Sequence, residues 1–341
     1  MLQKTTTVIV PAFNEADHIA DTIESLLGQS LKPDEIIIID DCSTDGTAQI
    51  ASTYPVKVIQ PPVNSGSKAG AQRYALQFVE TDYVVAIDAD TVLETNALEI
   101  LITRLTEEKV AAACGYVLPR SVKTVWERGR YAEYLFALGF FKRIQNAFQR
   151  PLIASGCFTA YQTSTLKALG GWSTETMAED MDVTWRLYDK GEKVIFVPNA
   201  VCYPVEPHNF HFMRKQLLRW SHGYIQNVRL HRATIIRDTW LSTFVTVGLW
   251  DTILALLAYL ILIPLSAIFL SPWLLLGYII DLPLVAAPML IEAHARGETM
   301  KALASLPSIA VLRIVNAAIF FEVLIKELVL DMPLTQYEKG H

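Results

Sequence analysis

In the run VVAIDADTVL, residues 84–93, four apolar residues lead into Asp88, Ala89 and Asp90. Strand side chains alternate with period two, so the two carboxylates lean the same way and can share one ligand. Read alone, the pair is as well explained by a strand end entering a turn, where Asp is favoured. Two other runs end in the same manner. IIIIDDCSTDGT sets Asp40 and Asp41 after four isoleucines, and VIVPAFNEA sets Pro11, Asn14 and Glu15 after an opening apolar run. Three apolar runs thus each deliver polar groups from one end, which is far more specific than one Asp pair. A dinucleotide fingerprint would need G-x-G-x-x-G after the first run. That position reads PAFNEA, and the later NSGSKAGAQ has Gly66 and Gly70 without the P-loop spacing. A dehydrogenase and a P-loop nucleotidase are therefore disfavoured. What remains is a nucleotide site built from carboxylates, with a divalent cation for the phosphates. Mg2+ and Mn2+ take oxygen ligands and commonly bridge one or two carboxylates to substrate phosphates.

Such groups need a rigid frame. The chain alternates apolar runs (TTTVIVPA, EIIIID, VKVI, DYVVAI) with helical patterns (DHIADTIESLLGQS, TAQIASTY, SKAGAQRYALQFV), the first helix showing Ile19, Ile23, Leu26 and Leu27 on one face. Continuous apolar strands alternating with helices predict an α/β fold with a mainly parallel, Rossmann-like sheet covered on both faces. Ligands of such sheets bind at the carboxyl ends of the strands, where all three polar groups fall.

The chain has 341 residues, 52% of them hydrophobic, and a net charge of −6. The apolar residues are unevenly spread. No charged residue lies between Thr252 and Ile280, and Leu282 to Ile291 is again uncharged. A spanning helix needs about 20 apolar residues, so spans near 243–269 and 273–291 are predicted, broken at Ser271-Pro272. Leu303 to Leu330 is long enough for a third, yet carries Arg313, Asn316, Glu322 and Lys326. It reads as a third span or as a helix packed at the interface, since charges at depth face protein or water. The expected domains are a catalytic domain at 1–205, an interface segment at 206–240, spans at 241–332 and a tail at 333–341.

Between Asn209 and Arg237 lie Arg214, Lys215, Arg219, Arg229, Arg232 and Arg237 with no acidic residue. This stretch precedes the first span, which places it on the cytoplasmic side. With an opening that enters a strand directly rather than a leader, it leads us to expect an integral membrane protein with a cytosolic catalytic domain. Anionic headgroups, not nucleic acid, are the natural partner of these charges. SVKTVWERGRYAEYLFALGFFKRIQNAFQR mixes aromatic and basic residues and reads equally as a membrane-surface helix or a core-facing one. Cys42, Cys114, Cys157 and Cys202 form no CxxC and read as reduced thiols. His208 and His211 lack the companions of a metal site.

The ordered set VIVPAFNEADHI, IIIIDDCSTDGT, NSGSKAGAQRYAL, AIDADT, MAEDMDVTWRLYDKG and QLLRW resembles membrane-bound family 2 glycosyltransferases over residues 5 to 230. These include cellulose, chitin and hyaluronan synthases and ceramide glucosyltransferases. The resemblance implies a GT-A-type fold. It implies that Asp41, with Asp40, contacts the uracil of a UDP-sugar and that Pro11, Asn14 and Glu15 line the nucleotide pocket. Lys68 matches a basic residue near the donor. Asp88 and Asp90 match a DxD motif, Asp90 the better metal ligand and Asp88 nearer ribose or phosphate. Asp180 matches the general base, and Gln216, Arg219 and Trp220 match QxxRW at the diphosphate and acceptor. Ala178, Leu217 and Tyr161-Gln162 depart from the usual residues, and the spans are few. These departures weigh against polymer translocation more than against sugar transfer.

The implied chemistry is coherent. Negative charge grows on the departing phosphate, where a Mn2+ or Mg2+ ion acts as a Lewis acid and Arg219 as a second clamp. Asp180, opening the helix EDMDVTWRLYDKG, is favoured as an ionised base by the helix N-terminus. Glu179 orients it, and Asp182 reads as structural. One base and no second nucleophile imply single displacement with inversion. Trp220 and Trp172 are candidate platforms for a sugar ring. The expected acceptor is a lipid, lipid-linked or glycan hydroxyl, and a homo-oligomer is compatible with so few spans. A processive polysaccharide synthase is the main alternative. A nucleotidyltransferase, or a non-catalytic sugar-nucleotide-binding subunit, fits less well, because neither needs QxxRW or an intact base.

Overall fold

The computed structural model describes residues 4–279 and 282–334. Asp281 and the end of the tail lie outside the described residues. The chain divides into two compact units. The first holds the residues up to Arg120 together with Asn146–Val205, and the second holds Ser121–Gln145 together with the residues from Glu206 onward.

The first unit is built on an eight-stranded sheet of order β3-β2-β1-β4-β7-β6-β8-β5. Its strands are β1 (Thr6–Ala12), β2 (Glu35–Asp40), β3 (Lys57–Ile59), β4 (Tyr83–Ile87), β5 (Val92–Leu93), β6 (Ala112–Val117), β7 (Phe158–Gln162) and β8 (Val194–Tyr203). The first four pair in parallel. Val8, Ile9, Val10, Ile37, Ile38, Ile39, Val84 and Val85 have no exposed surface, which is why these strands read as continuous apolar runs. The second half is mixed. β7 runs antiparallel to both β4 and β6, β8 parallel to β6, and β5 antiparallel to β8. The antiparallel register Ile87↔Phe158 has a direct consequence. It puts the residues entering β7 at the rim where β4 leaves the sheet.

The second unit is helical. Among the described residues, three of its stretches are long and apolar enough to cross a membrane: Thr239–Phe269, Pro272–Ala295 and Thr299–Leu328. In the first, Leu254, Leu262, Ile268 and Phe269 are more than half exposed, as expected of side chains that face lipid. Several charged and polar residues of the third meet protein partners. Arg214 donates to Glu322 at 2.8 Å, His222 meets Glu327 at 2.7 Å, and Asn316 donates to Glu133 at 3.3 Å. The SVKTVWERGRY segment forms the helix Val125–Phe136, started by a Thr124–Glu127 capping box. It continues through a π-helical turn at Ala137–Phe141 into Lys142–Ala147. Its first half is core-facing and its second half more exposed. Tyr131, Ala132 and Leu135 are buried, whereas Phe140, Phe141 and Ile144 stand exposed.

Candidate active site

The loops leaving β1 and β2 are stitched together. Asn14 Oδ1 accepts from the Thr44 amide at 2.8 Å, and the Asn14 and Glu15 amides donate to Ser43 Oγ and Thr47 Oγ1 at 2.9 and 2.8 Å. Asn14 and Cys42 take positive φ of 55° and 64°, a region that Asn tolerates and most side chains avoid. Asp40 and Asp41 are both buried. Asp41 holds the next loop, accepting from the Ser65 amide and Ser65 Oγ at 2.8 Å each. Asp40 Oδ1 is buried with no hydrogen-bond partner among the described residues. A buried polar atom left so is one a bound ligand would satisfy. Pro11 sits at the end of β1, paired with Ile39.

Lys68 opens the helix Lys68–Leu76, whose N-cap Ser67 accepts from the Gly70 amide. Its ammonium gathers the next group of residues. It pairs with Asp88, lies 3.2 Å from Glu179 Oε1, and donates to the Gly156 carbonyl at 3.2 Å. Burial would lower the Lys68 pKa, but Asp88 and then Glu179 outweigh it and hold it well above the ordinary lysine value. Asp180 lies in the first turn of the helix Glu179–Asp189. Its Oδ2 accepts from the Gly156 amide at 2.9 Å and its Oδ1 from the Met181 amide at 2.8 Å. Burial and the charge of Glu179 raise the Asp180 carboxyl above its ordinary range, against Lys68 and the two amides. Asp182 pairs with Arg186 at 2.7 Å and is buried, a structural role. Asp90, half-buried two residues from Asp88, accepts from Thr91 Oγ1 at 3.2 Å.

Gly156 is the residue that sequence reasoning missed. Its amide and carbonyl serve Asp180 and Lys68, and a Cβ there would stand 3.0 Å from Lys68 Nζ and 3.2 Å from Asp180 Oδ2. The signal lies in tertiary pairing: only the antiparallel entry of β7 brings it to this rim. Cys157 follows it, with its sulfur 3.9 Å from that of Cys202. Trp172 is not a sugar platform. Its side chain is 1% exposed and packs edge-on against Tyr161 at 5.6 Å, so neither ring face is available.

Gln216, Arg219 and Trp220 belong to the second unit, on the helix Phe210–Leu230. All three are half-buried. Gln216 Oε1 accepts from Arg130 at 2.7 Å, and Trp220 lies under the Arg130 guanidinium, 4.6 Å from ring centre to carbon. Glu206, also unremarked in the sequence, is buried beside them and accepts from Tyr134 at 2.6 Å. Among the described residues, no group of three or more His, Cys, Asp or Glu is placed to hold a metal ion.

The mixed, mostly parallel α/β sheet is of the GT-A type. Residues 7–170 match the glycosyl transferase family 2 model, and the chain carries a family 2 glycosyltransferase domain. It is 30% identical over 237 residues to a poly-β-1,6-N-acetyl-D-glucosamine synthase of Staphylococcus epidermidis, covering 68% of this chain and 56% of that one. Against the enzyme of the same name in Staphylococcus aureus it is 30% identical over 224 residues, or 64% and 54% of the two chains. The chain thus spans about half the length of these curated relatives. Its fold is similar to that of the mannosyltransferase PcManGT from Pyrobaculum calidifontis, solved with GDP-Man and Mn2+, at a TM-score of 0.61 and 22% identity over 96% of this chain and 88% of that one.

Proposed function

We propose that this glycosyltransferase moves one sugar from a nucleotide diphosphate sugar, a UDP-sugar first, to a membrane-associated lipid, lipid-linked or glycan hydroxyl, with inversion. The observation that carries this reading is the cluster in which Lys68, Asp88, Glu179 and Asp180 converge about Gly156. It unites a base, a cation and a carboxylate pair at one rim.

A divalent cation fits the residues present. Asp88, just past the end of β4, and Asp90, in the turn that follows, offer oxygen donors, too few to cage an ion alone. That is the donor set expected where substrate phosphates complete the shell. Asp88 is already paired with Lys68, which leaves Asp90 the stronger ligand and Asp88 close to ribose or phosphate. When bound, the ion would neutralise charge growing on the departing diphosphate. PcManGT was solved with Mn2+, which supports a divalent ion here.

The remaining steps belong to the chain. Asp40 and Asp41 meet the base, with Pro11, Asn14 and Glu15 forming the pocket wall. Lys68 holds Asp88 and Glu179 in place and offsets their charge. Asp180 accepts the proton of the acceptor hydroxyl as its oxygen bonds the anomeric carbon and the bond to phosphate breaks. The nucleoside diphosphate leaves, steadied by Arg219, while Gln216 and Trp220 order the acceptor. General-base catalysis of this kind contributes about 10²–10⁴-fold. The raised pKa makes Asp180 a stronger proton acceptor than an ordinary aspartate.

A processive polysaccharide synthase is the second reading, favoured by the names of the 30% identical relatives. One experiment separates the two. Purified full chain in lipid nanodiscs is given radiolabelled UDP-N-acetylglucosamine, UDP-glucose and GDP-mannose, with and without chelator. We expect label in the organic phase after extraction, and chelator to abolish it. Label retained at the origin of a gel means polymer, and no transfer from any donor refutes both readings.

A further inference from the structure

Arg130 is the largest charged side chain without exposed surface, and nothing in the preceding chemistry uses it. It projects from the helix Val125–Phe136, whose Gly129 lets the helix Thr299–Leu328 approach: a Cβ there would lie 3.3 Å from Leu312 and the Ser308 carbonyl. The guanidinium is hydrogen-bonded through both terminal nitrogens, and Nε faces a carboxylate. One terminal nitrogen donates to Glu133 Oε2 at 2.5 Å, the other to Gln216 Oε1 at 2.7 Å and Met213 Sδ at 3.2 Å. Nε lies 3.4 Å from Glu206 Oε2. The face covers the Trp220 ring at 4.6 Å, a cation–π contact strengthened by burial. Glu206 in turn accepts from Gln216 Nε2 at 3.4 Å and from Tyr134 at 2.6 Å.

One planar cation thus addresses two of the three motif residues at once. Its bond to Gln216 Oε1 decides which way that amide faces and directs Nε2 toward Glu206. Its plane sets the tilt of Trp220. Lysine has three donors on a point charge and no plane, so it cannot do both. Holding a helix pair together needs only the charge between Glu133 and Glu206, and would leave the Gln216 and Trp220 contacts incidental.

We propose that Arg130, braced by Glu206 and Tyr134, is a positioning residue for sugar transfer, acting through the Gln216 amide and the Trp220 ring. This rests on the reading that Gln216 and Trp220 order the acceptor and diphosphate. The test uses the full chain in nanodiscs and UDP release from UDP-N-acetylglucosamine, read by single-turnover radiolabel. Arg130→Lys should keep the thermal midpoint and hold UDP affinity within about twofold, while turnover falls about 10²-fold, the scale of a small misplacement of reacting groups. In a Gln216→Ala, Trp220→Leu background the same change should cost nothing further, because residues acting as a unit are non-additive. Wild-type turnover in Arg130→Lys overturns the proposal, as does an undiminished loss in the double-variant background. If Arg130→Lys does not fold, Glu206→Gln loosens the same guanidinium in place and should lower turnover about tenfold, wild-type turnover again overturning the proposal. Failure of the underlying reading shows separately, as wild-type turnover in Gln216→Ala, Trp220→Leu alone.

Discussion

At the scale of single residues, the proposed chemistry turns on Asp180. Asp180→Asn keeps the shape, but its single amide oxygen can accept from only one of the Gly156 and Met181 amides, and it cannot take a proton. We expect turnover to fall by about 10²–10⁴-fold, with UDP affinity measured by calorimetry unchanged. The pH profile carries the same role in another form. Burial, then Glu179, holds the Asp180 carboxyl above its ordinary range. A base works ionised, so activity should rise with pH through that raised pKa and be lost below it. The acidic limb of kcat should therefore lie above the range of an exposed aspartate and disappear in Asp180→Asn. A third variant tests the cradle. Gly156→Ala inserts a Cβ 3.0 Å from Lys68 Nζ and 3.2 Å from Asp180 Oδ2, so the shift falls on site atoms. Turnover should drop about tenfold with little change in thermal midpoint. The carboxylates were legible in the sequence because a strand end and a helix start each announce themselves locally. Gly156, Arg130 and Glu206 were not, since each acts through partners distant in the chain.

At the scale of elements, β1 to β4 could be read because burial on both faces writes an uninterrupted apolar run. The mixed half could not, as periodicity says nothing about strand direction. Yet that half sets the site: the antiparallel register Ile87↔Phe158 carries Gly156 to Asp88's rim. The Ser121–Gln145 segment was legible only as amphipathic. Its membership of the second unit follows from Gly129, which packs against Leu312, and from Glu133, which meets Asn316. A large side chain at Gly129 should wedge these helices apart. Gly129→Leu should cost about 1–3 kcal/mol by overpacking, seen as a lower thermal midpoint in detergent, with Gly129→Ala intermediate. An unchanged midpoint in Gly129→Leu would show that this contact contributes nothing to stability.

At the scale of the whole molecule, the question is which stretches cross the bilayer and which way. The basic segment at 209–237 argues that the catalytic domain faces the cytosol. The helical unit adds that the hairpin returns to the side where it began. Tyr131 donates to Glu298 at 2.7 Å, and Arg143 meets Glu292 at 3.1 Å, so the loop after the second apolar stretch rejoins the helix at 125–136. The third stretch then runs beside the helix Phe210–Leu230 and in the same direction. Leu312 and Ile319 pack with Met213 and Leu217, Phe320 and Val323 with Ile225, and Glu327 meets His222 and Arg229. Packing of its second half, from Leu312 to Glu327, against the basic helix favours a place at the interface. It has the length of a span, but its charges are spent on that neighbour. Single cysteines at Ser65, Ser271, Glu298 and Gly340, in a background without the four native ones, distinguish these arrangements in intact cells. Ser271 should react with impermeant reagent from outside, and Ser65 and Glu298 should be protected. If the third helix lies along the cytosolic surface, Gly340 should be protected as well. Labelling at Gly340 from outside would make that helix a third span, and labelling at Ser65 would reverse the orientation and remove a cytosolic donor from the mechanism.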